Sequence, residues 1–383
     1  MKKKILIVTE RRADFSRFKP ILNRIKNNKY FDCILVVTGI HLLKKYGYSI
    51  MEIKKAGFKI NYKFKMYSNI TTKNDDGSSM VSSFGVAIMK LSKILKKAKP
   101  DIILSGFDIA ANFAVTVVGA HMNIPVAHIQ GGEVTGTIDE SIRHAMSKFS
   151  HYHLVSNYDA AKRLVKMGEK KSNVYVVGSP SLEALFNEKT LTLKELTNKF
   201  GINFEEKFYL VIQHSVTTEI EEAKTQIQKT ISAIKKTKVQ TLFICPNNDA
   251  GSTFILNEIK KSANIFYTPT LTLSEYKSLL SRCFALVGNS SSGIHEASSF
   301  FKPVINIGSR QNKRLRSKNI IDVDYDENKI FNYLQRLNNK IFYNRLIKNL
   351  KNPYYKPNTS FQILKILKKI SLKKTILQKT ISY

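Results

Sequence analysis

The sequence lacks tryptophan and has only three cysteines in 383 residues. Cys33, Cys245 and Cys283 are far apart and odd in number, which argues against a disulfide framework and favours a reducing compartment. Long apolar runs are also missing. The first one ends before Glu10 and is too short for a signal peptide, and none reaches the ~18 residues of a membrane span. We therefore expect a cytoplasmic protein without a membrane partner.

Acidic residues are scarce beside basic ones. There are 62 lysines and arginines against 29 aspartates and glutamates, so the formal net charge is +33. The basic residues are spread along the chain, and no nucleic-acid-binding motif accompanies them. We expect no nucleic-acid partner and interpret the charge as favouring an anionic substrate.

Two successive series of alternating strand and helix patterns organise the chain. The first covers residues 5–177 and the second residues 209–337, and in both the strands are continuous apolar runs. Such runs between helices are typical of a parallel sheet covered on both faces. The pattern predicts an α/β fold of two Rossmann-like, doubly wound domains with a cleft between them.

The predicted domains are residues 1–180 and 181–355. In the remaining segment, residues 356–383, we expect a helix over 360–372 that folds back on the first domain, followed by a loosely ordered basic tail. The stretch 187–206 is polar and separates the two series.

Cofactor motifs are absent as well. No GxGxxG follows the first strand, and there is no P-loop, Ser-His-Asp set or zinc-ligand cluster. We therefore expect neither NAD, nor a metal, nor any other cofactor. The loop after the first strand instead carries Arg12 before a helix, and an arginine beside backbone N–H groups suits a phosphate.

The densest group of polar residues lies at 127–144, after a short apolar strand pattern. It contains the Gly131-Gly132-Glu133 turn, then Asp139, Glu140 and Arg143 at the start of a helical pattern. Ligands of open α/β sheets bind outside the carboxyl ends of the strands. The stretch is thus either one wall of a binding site or a solvated loop with a capping carboxylate.

A second polar turn, Asn289-Ser290-Ser291-Ser292-Gly293, lies between a strand and a helix in the second series. Small residues let the backbone approach a ligand, and hydroxyl and N–H groups can bind a diphosphate without a metal. Glu296, one turn later, is placed to hold ribose hydroxyls. The alternative is a capped helix start. Other loops that follow strands of this series could bind a phosphate, a base or a sugar, and their candidate residues are His214, Asn248, Gly251, Ser252, Arg310 and Gln311.

Together these motifs resemble the hydrolysing UDP-N-acetylglucosamine 2-epimerases, in the branch that serves sialic and legionaminic acid synthesis. The resemblance runs in order from Ile5 to Leu367 and rests on Arg12-Ala13-Asp14, residues 131–144, Gln213-His214, residues 289–293 and Gly308-Ser309-Arg310-Gln311. It implies a GT-B-like fold, a nucleotide-sugar substrate in the interdomain cleft, and a homodimer or homotetramer.

The resemblance also implies a reaction. The nucleoside diphosphate leaves by anti elimination across C1–C2, and water then adds to the glycal with inversion at C2, which releases a free sugar such as N-acetylmannosamine. Glu133, Asp139 and Glu140 become acid/base candidates, with Arg143 and His214 orienting them or assisting the leaving group. Arg12, Ser290, Ser291, Ser292 and Arg310 would hold the diphosphate, and Glu296 the ribose.

One departure concerns the fourth strand. The family usually has Gly-Asp-Arg at its end, whereas here Phe107 stands in the aspartate's place and Asp108 follows. A shift of one residue can turn a side chain to the other face. Either the loop restores Asp108 as an acid/base group, or Glu133 and Glu140 act alone, or the substrate is a 2,4-diacetamido or GDP-linked sugar.

Two other functions fit the same pattern. A GT-B glycosyltransferase shares the fold but needs an acceptor site, and a nucleotide-sugar-binding protein would have lost catalysis through Phe107. Glu10 also departs from the family, because a carboxylate beside a phosphate is unfavourable unless it faces away.

Overall fold

A computed structural model describes residues 2–67, 76–107, 109–247, 249–263, 265–370, 372 and 377–383. Its first sheet contains seven parallel strands in the order β3-β2-β1-β4-β5-β6-β7. They are β1 Lys3–Thr9, β2 Phe31–Val37, β3 Tyr62–Lys63, β4 Ile102–Gly106, β5 Val126–Ile129, β6 Tyr152–Val155 and β7 Val174–Val176. Two-residue β3 was too short to be recognised in the sequence.

Helices cover both faces of this sheet. They are α1 Arg12–Lys26, α2 Ile50–Lys55, α3 Gly77–Ala98, α4 Ala110–His121, α5 Asp139–Phe149, α6 Tyr158–Lys166 and α7 Pro180–Asn187. In β1, Ile5 and Ile7 pack into one buried layer, and Leu6 and Val8 into the other, which is why the strand reads as a continuous apolar run.

Helix α1 begins at Arg12 rather than at residue 17, where the apolar pattern starts. The cause is Asp14, whose carboxylate accepts hydrogen bonds from the backbone N–H groups of Glu10 and Arg11. These bonds satisfy donors at the helix start, and they bring Arg11 and Arg12 close to the end of β1.

The second sheet has six parallel strands in the order β10-β9-β8-β11-β12-β13. They are β8 Phe208–Ile212, β9 Gln240–Ile244, β10 Phe266–Thr268, β11 Ala285–Gly288, β12 Val304–Ile307 and β13 Ile320–Val323. The remaining helices are α8 Leu193–Phe200, α9 Ala223–Lys236, α10 Ser252–Lys261, α11 Leu273–Arg282, α12 Ser291–His295, α13 Glu327–Arg336, α14 Lys340–Ile347 and α15 Thr359–Lys369. The predicted fold class, two Rossmann-like domains, is confirmed.

Several elements differ from the prediction. Helix α8 lies inside the stretch read as polar, because it buries only Leu196 and is defined by its Thr192–Glu195 capping box. Strand β13 and helices α7 and α14 were also missed. The apolar spacing in the sequence predicts helices over residues 219–237 and 293–300. The first begins only at Ala223, and the second divides into α12 and a 3₁₀ turn.

Both chain ends lie on the first sheet's side of the molecule. Helix α15 packs against α1 and α7, and its Ile363 and Leu367 join the same buried layer as Phe18. The Nζ of Lys3 donates to backbone carbonyls at the end of α15.

The sequence predicted a loosely ordered tail over residues 373–383. Residues 373–376 lie outside the described residues, and for residues 377–383 the prediction was wrong. Lys379 Nζ donates to the carbonyls of Ser147, Lys148 and Ser150, at the end of α5, and lies 2.5 Å from Glu169 Oε2. A cation at a helix C-terminus beside a buried carboxylate is favourable. No helix in the described ranges is long and apolar enough to cross a membrane.

Candidate active site

Two adjoining cavities of about 610 and 520 Å³ lie between the two sheets. We name them by their lining: the carboxylate cavity contains Glu133 and Asp139, and the hydroxyl cavity contains Ser290 and Ser292. Both are lined by loops that follow the carboxyl ends of strands, where α/β proteins bind ligands. The walls that the two cavities share are Arg11, Ala13, Arg17, Asn247, Ser291 and Arg310.

Glu133 is a buried carboxylate in the carboxylate cavity. Its Oε2 lies 3.0 Å from His295 Nε2 and 3.9 Å from Arg314 Nη1, while its Oε1 has no hydrogen-bond partner. Burial alone would raise the pKa of Glu133, but His295, Arg314 and Arg143 hold it well below its usual range. The side chain is therefore ionised, and one of its two oxygens is buried without a hydrogen-bond partner.

The Gly131-Gly132 turn places Glu133 there. Gly132 has a φ of +77°, and a Cβ on it would lie 2.5 Å from the carbonyl oxygen of Ala160. Only glycine fits this approach. Arg143 is buried, and its Nη1 donates a hydrogen bond to the carbonyl of Glu133, which holds the loop in place.

Helix α5 divides its acidic residues between two sides. Asp139 and Arg143 are four residues apart, so they lie on one face, and both line the carboxylate cavity. Glu140 is not among the lining residues. Its Oε2 accepts a hydrogen bond from Thr135 N, and its Oε1 lies 3.8 Å from His144 Nε2.

Two residues at the ends of β4 and β5 have left-handed backbones. Phe107 has a φ of +72° and Gln130 a φ of +60°, conformations that cost about 1–3 kcal/mol each and are concentrated at functional sites. The Phe107 ring packs on Phe18 and under the Arg17 guanidinium. Asp108, the predicted acid/base residue that follows, lies outside the described residues.

Gln130 is a cavity residue that the sequence analysis missed. It is buried in the wall of the carboxylate cavity, and its Oε1 has no hydrogen-bond partner. A buried amide oxygen without a partner is costly unless a ligand or water satisfies it. Its place directly after a strand pattern was the available signal.

The hydroxyl cavity collects most of the predicted nucleotide contacts. The predicted residues that line it are Arg12, His214, Ser290, Ser291, Ser292, Glu296 and Arg310. Tyr276, which the sequence analysis missed, also lines it and forms a hydrogen bond with Ser292. Its burial, with Glu296 nearby, raises the pKa of Tyr276, so it remains a neutral hydroxyl.

His214 is neutral in this site. Burial, followed by the charges of Arg310 and Arg11, lowers its pKa to about 3. Its Nδ1 accepts a hydrogen bond from Asn247 N at 3.4 Å, which places the ring proton on Nε2. His214 is therefore a hydrogen-bond donor at neutral pH and not a cation.

Arg11, rather than the predicted Arg12, lies at the junction of the cavities. Arg12 also lines the hydroxyl cavity, but its guanidinium binds Glu52 at 2.5 and 2.8 Å and donates to Tyr46 and Thr270. Glu10 lines neither cavity, but it pairs with the arginine at the junction. Its Oε1 accepts a hydrogen bond from Arg11 Nη2 at 3.1 Å, and its Oε2 accepts one from Ala111 N at the start of α4.

Some of the predicted site residues do not line either cavity. Asn289 forms hydrogen bonds with the His214 backbone. Gly293 lies within α12, on the side that faces Val304. Gly251 and Ser252 begin α10 and line neither cavity, and Asn248 is outside the described residues. Gln311 lines the carboxylate cavity and donates to Asn289 O. No cluster of three or more potential metal ligands occurs in the described part of the chain.

Two Rossmann-like domains with these cavities between them define a GT-B-like enzyme. Solved structures share the fold. That of a Neisseria meningitidis UDP-GlcNAc 2-epimerase bound to UDP-GlcNAc has a TM-score of 0.80 at 20% identity, and covers 96% of this chain and 100% of that one. A Methanocaldococcus jannaschii UDP-GlcNAc 2-epimerase in complex with UDP-GlcNAc and UDP has a TM-score of 0.77 at 17% identity, with 96% and 99% covered.

The chain belongs to the UDP-N-acetylglucosamine 2-epimerase family, whose model matches residues 23–368. A relative from Legionella pneumophila, called UDP-N,N'-diacetylbacillosamine 2-epimerase (hydrolyzing), is 35% identical over all of both chains. A Neisseria meningitidis UDP-N-acetylglucosamine 2-epimerase is 35% identical over 87% of each. A Campylobacter jejuni GDP/UDP-N,N'-diacetylbacillosamine 2-epimerase (hydrolyzing) is 34% identical over 85% of each.

Proposed function

We propose that this protein is a hydrolysing nucleotide-sugar 2-epimerase of sialic or legionaminic acid biosynthesis. Its substrate is UDP-N-acetylglucosamine or a UDP- or GDP-linked 2,4-diacetamido relative such as N,N'-diacetylbacillosamine. The products are the free 2-epimer and the nucleoside diphosphate. The observation that carries the proposal is the buried, ionised Glu133, which lines a cavity joined to one lined by hydroxyls and arginines.

We assign the nucleotide to the hydroxyl cavity and the sugar to the carboxylate cavity. The diphosphate then lies at their junction, where Arg11, Arg310 and Ser291 converge. Arginine suits phosphate oxygens because its planar N–H groups bind them in pairs. Glu296 holds the ribose hydroxyls, and His214 donates its Nε2–H to a phosphate oxygen.

The reaction has two steps. In the first, a carboxylate takes the C2 proton, the C1–C2 double bond of the glycal forms, and the C1–O bond breaks with its electron pair leaving on the diphosphate. In the second, water adds its oxygen to C1, and a proton is delivered to C2 on the opposite face. Neither step changes the oxidation state overall, so no redox partner is needed.

The side chains divide this work. Glu133 and Asp139 are the carboxylates assigned to proton transfer, because both line the carboxylate cavity. Glu140 supports them indirectly by holding Thr135 in the loop between them. Arg11, Arg310 and His214 stabilise the charge that develops on the leaving diphosphate, and such preorganised donors are a large part of catalysis. We further propose a cytoplasmic homodimer or homotetramer.

The test is an incubation in D₂O without an acceptor, using UDP-N-acetylglucosamine and the UDP- and GDP-linked diacetylbacillosamines. We expect release of the nucleoside diphosphate together with a manno-configured free sugar that carries deuterium at C2. Release that occurs only after an acceptor is added would instead identify a GT-B glycosyltransferase. Binding without any release would identify a nucleotide-sugar-binding protein.

A further inference from the structure

The loop that carries Glu133 is fastened to the opposite sheet at two points. Thr135 Oγ1 and Gly136 N both donate to the carbonyl of Arg310, at 2.8 and 3.1 Å. Glu133 itself contacts His295 at 3.0 Å. Because the loop follows β5 in the first sheet, whereas Arg310 and His295 follow β12 and β11 in the second, these contacts join the two domains across the cleft.

His295 is held rigidly at that contact. Its ring lies 4.2 Å from the Tyr354 ring, centroid to centroid, and its carbonyl accepts a hydrogen bond from Asn352 Nδ2. Burial lowers the pKa of His295 more than the neighbouring Glu133 raises it. The imidazole is therefore neutral. We assign its proton to Nε2, which then donates to the Glu133 carboxylate at 3.0 Å, so that Arg314 Nη1, 2.9 Å from the same nitrogen, is a close contact and not a second hydrogen bond to it.

Helix α12 links this contact to the hydroxyl cavity. Ser291 and Ser292 begin the helix and line that cavity, and His295 is its last residue. The helix has five residues, Ser291–His295, so about one turn separates its serines from His295.

We propose that His295 is a positioning residue that fixes the orientation and charge of Glu133 and couples both to occupancy of the hydroxyl cavity by the nucleotide. The proposal rests on the proposed function, in which Glu133 transfers a proton. A filled hydroxyl cavity holds α12 in place, and α12 holds the carboxylate.

The charges around the pair come from several elements. Arg314, after β12, and Arg143, on α5, face Glu133, and Arg17, on α1, faces His295. Tyr354 remains neutral, because burial raises its pKa. The three arginines stay protonated throughout the accessible pH range and remain in place in a His295 variant, so a change in the proton affinity of Glu133 in that variant reports the loss of His295.

The test compares His295→Ala with His295→Gln, whose amide N–H replaces the Nε2–H donor. In the alanine variant we expect kcat to fall at least tenfold while KM changes less than threefold, since the lost group acts on the transition state. The acidic limb of its pH–rate profile should move up by about one pH unit, because the carboxylate loses a hydrogen bond. The glutamine variant should recover most of kcat and the original limb.

A second measurement does not depend on turnover. Addition of UDP should slow backbone hydrogen exchange in residues 130–137 of the unmodified protein. In His295→Ala it should not, although UDP still binds. An unchanged acidic limb together with unchanged UDP-dependent protection would overturn the coupling while leaving the epimerase function intact. A wild-type protein that releases no nucleoside diphosphate would instead overturn the function itself.

Discussion

The side chain of Asn289 forms hydrogen bonds with both backbone polar groups of His214, the N–H and the carbonyl. Its Oδ1 accepts a hydrogen bond from His214 N at 2.7 Å, and its Nδ2 donates to His214 O at 2.8 Å. One side chain thus holds the loop after β8 against the loop after β11, and the His214 ring depends on it for its position.

Replacing Asn289 by alanine should therefore affect both stability and ligand binding. Two buried backbone groups lose their partners, and each unsatisfied group costs about 1–3 kcal/mol. We expect a loss of about 2 kcal/mol or more in the free energy of unfolding by urea, and weaker UDP binding by calorimetry. The exposed Asn338→Ala is the control. Normal UDP affinity in Asn289→Ala would show that His214 does not need this support.

Glu133→Gln should abolish most turnover and retain substrate binding. The amide keeps the shape of the carboxylate and can still accept from His295 Nε2, but it cannot take a proton, and loss of general acid–base catalysis costs about 10²–10⁴-fold. Glu140→Gln is the matched variant, because Glu140 does not line the cavity. We expect it to reduce turnover less. Equal losses in kcat and in substrate affinity for Glu133→Gln would show that the residue only binds substrate.

Arg11 should contribute more to nucleotide binding than Arg12. Arg12 already donates to Glu52, Tyr46 and Thr270. Arg11 is paired with Glu10 at 3.1 Å, but it lines both cavities, whereas Arg12 lines only one. A hydrogen bond to a charged group contributes about 1.5–3 kcal/mol, so Arg11→Met should weaken UDP binding roughly tenfold or more. Arg12→Met is the control, with a smaller expected effect. The reverse order would move the diphosphate towards the Arg12 side.

The free energy of unfolding should decrease as the pH falls, because His41 is buried in its neutral form. Burial, followed by the charges of Arg12 and Arg11, lowers the pKa of His41 to about 3. The unfolded chain takes up that proton near pH 6.5, so this contribution is complete above pH 6.5 and is lost as the pH falls towards 3. The slope is about 1.4 kcal/mol per pH unit.

The measurement is the free energy of unfolding between pH 7 and pH 4. His41→Gln cannot titrate, so its curve should be flatter than that of the unmodified protein by about one bound proton. Parallel curves would show that His41 is protonated in the folded protein as well.

The end of the tail should stabilise the first sheet's side of the molecule. Glu169 is buried against His153 and Lys379, and removal of the Lys379 ammonium takes away a hydrogen bond to that carboxylate. We expect Lys379→Met to lower the free energy of unfolding by about 2 kcal/mol. Lys379→Arg keeps the charge and should restore most of it. A tail deletion without any effect on thermal unfolding would contradict this role.

Much of the fold could be predicted from the sequence, because a continuous apolar run such as residues 102–104 is typical of a strand that is buried on both faces of a parallel sheet. Elements with weak patterns were missed for the same reason. Helix α8 buries one apolar residue, and β3 consists of two residues. Only tertiary packing identifies such segments.

The candidate site was predicted as a set of loops rather than as a set of contacts. The sequence placed Asp139, Glu140 and Arg143 at the start of one helix, but it could not show that Glu140 turns to Thr135. His295 and Arg314 were not recognised, because their partner Glu133 is distant in the chain and belongs to the opposite sheet. Contacts of that kind leave no periodic signal.

The position of α15 has a consequence for synthesis of the chain. The layer that contains Phe18 is completed by Ile363 and Leu367, which are translated after the whole second sheet. Nascent domains generally fold in the order in which they leave the ribosome, yet here one flank of the first domain lacks its cover until the end. That apolar flank is a surface on which a chaperone can act while the chain is still being made.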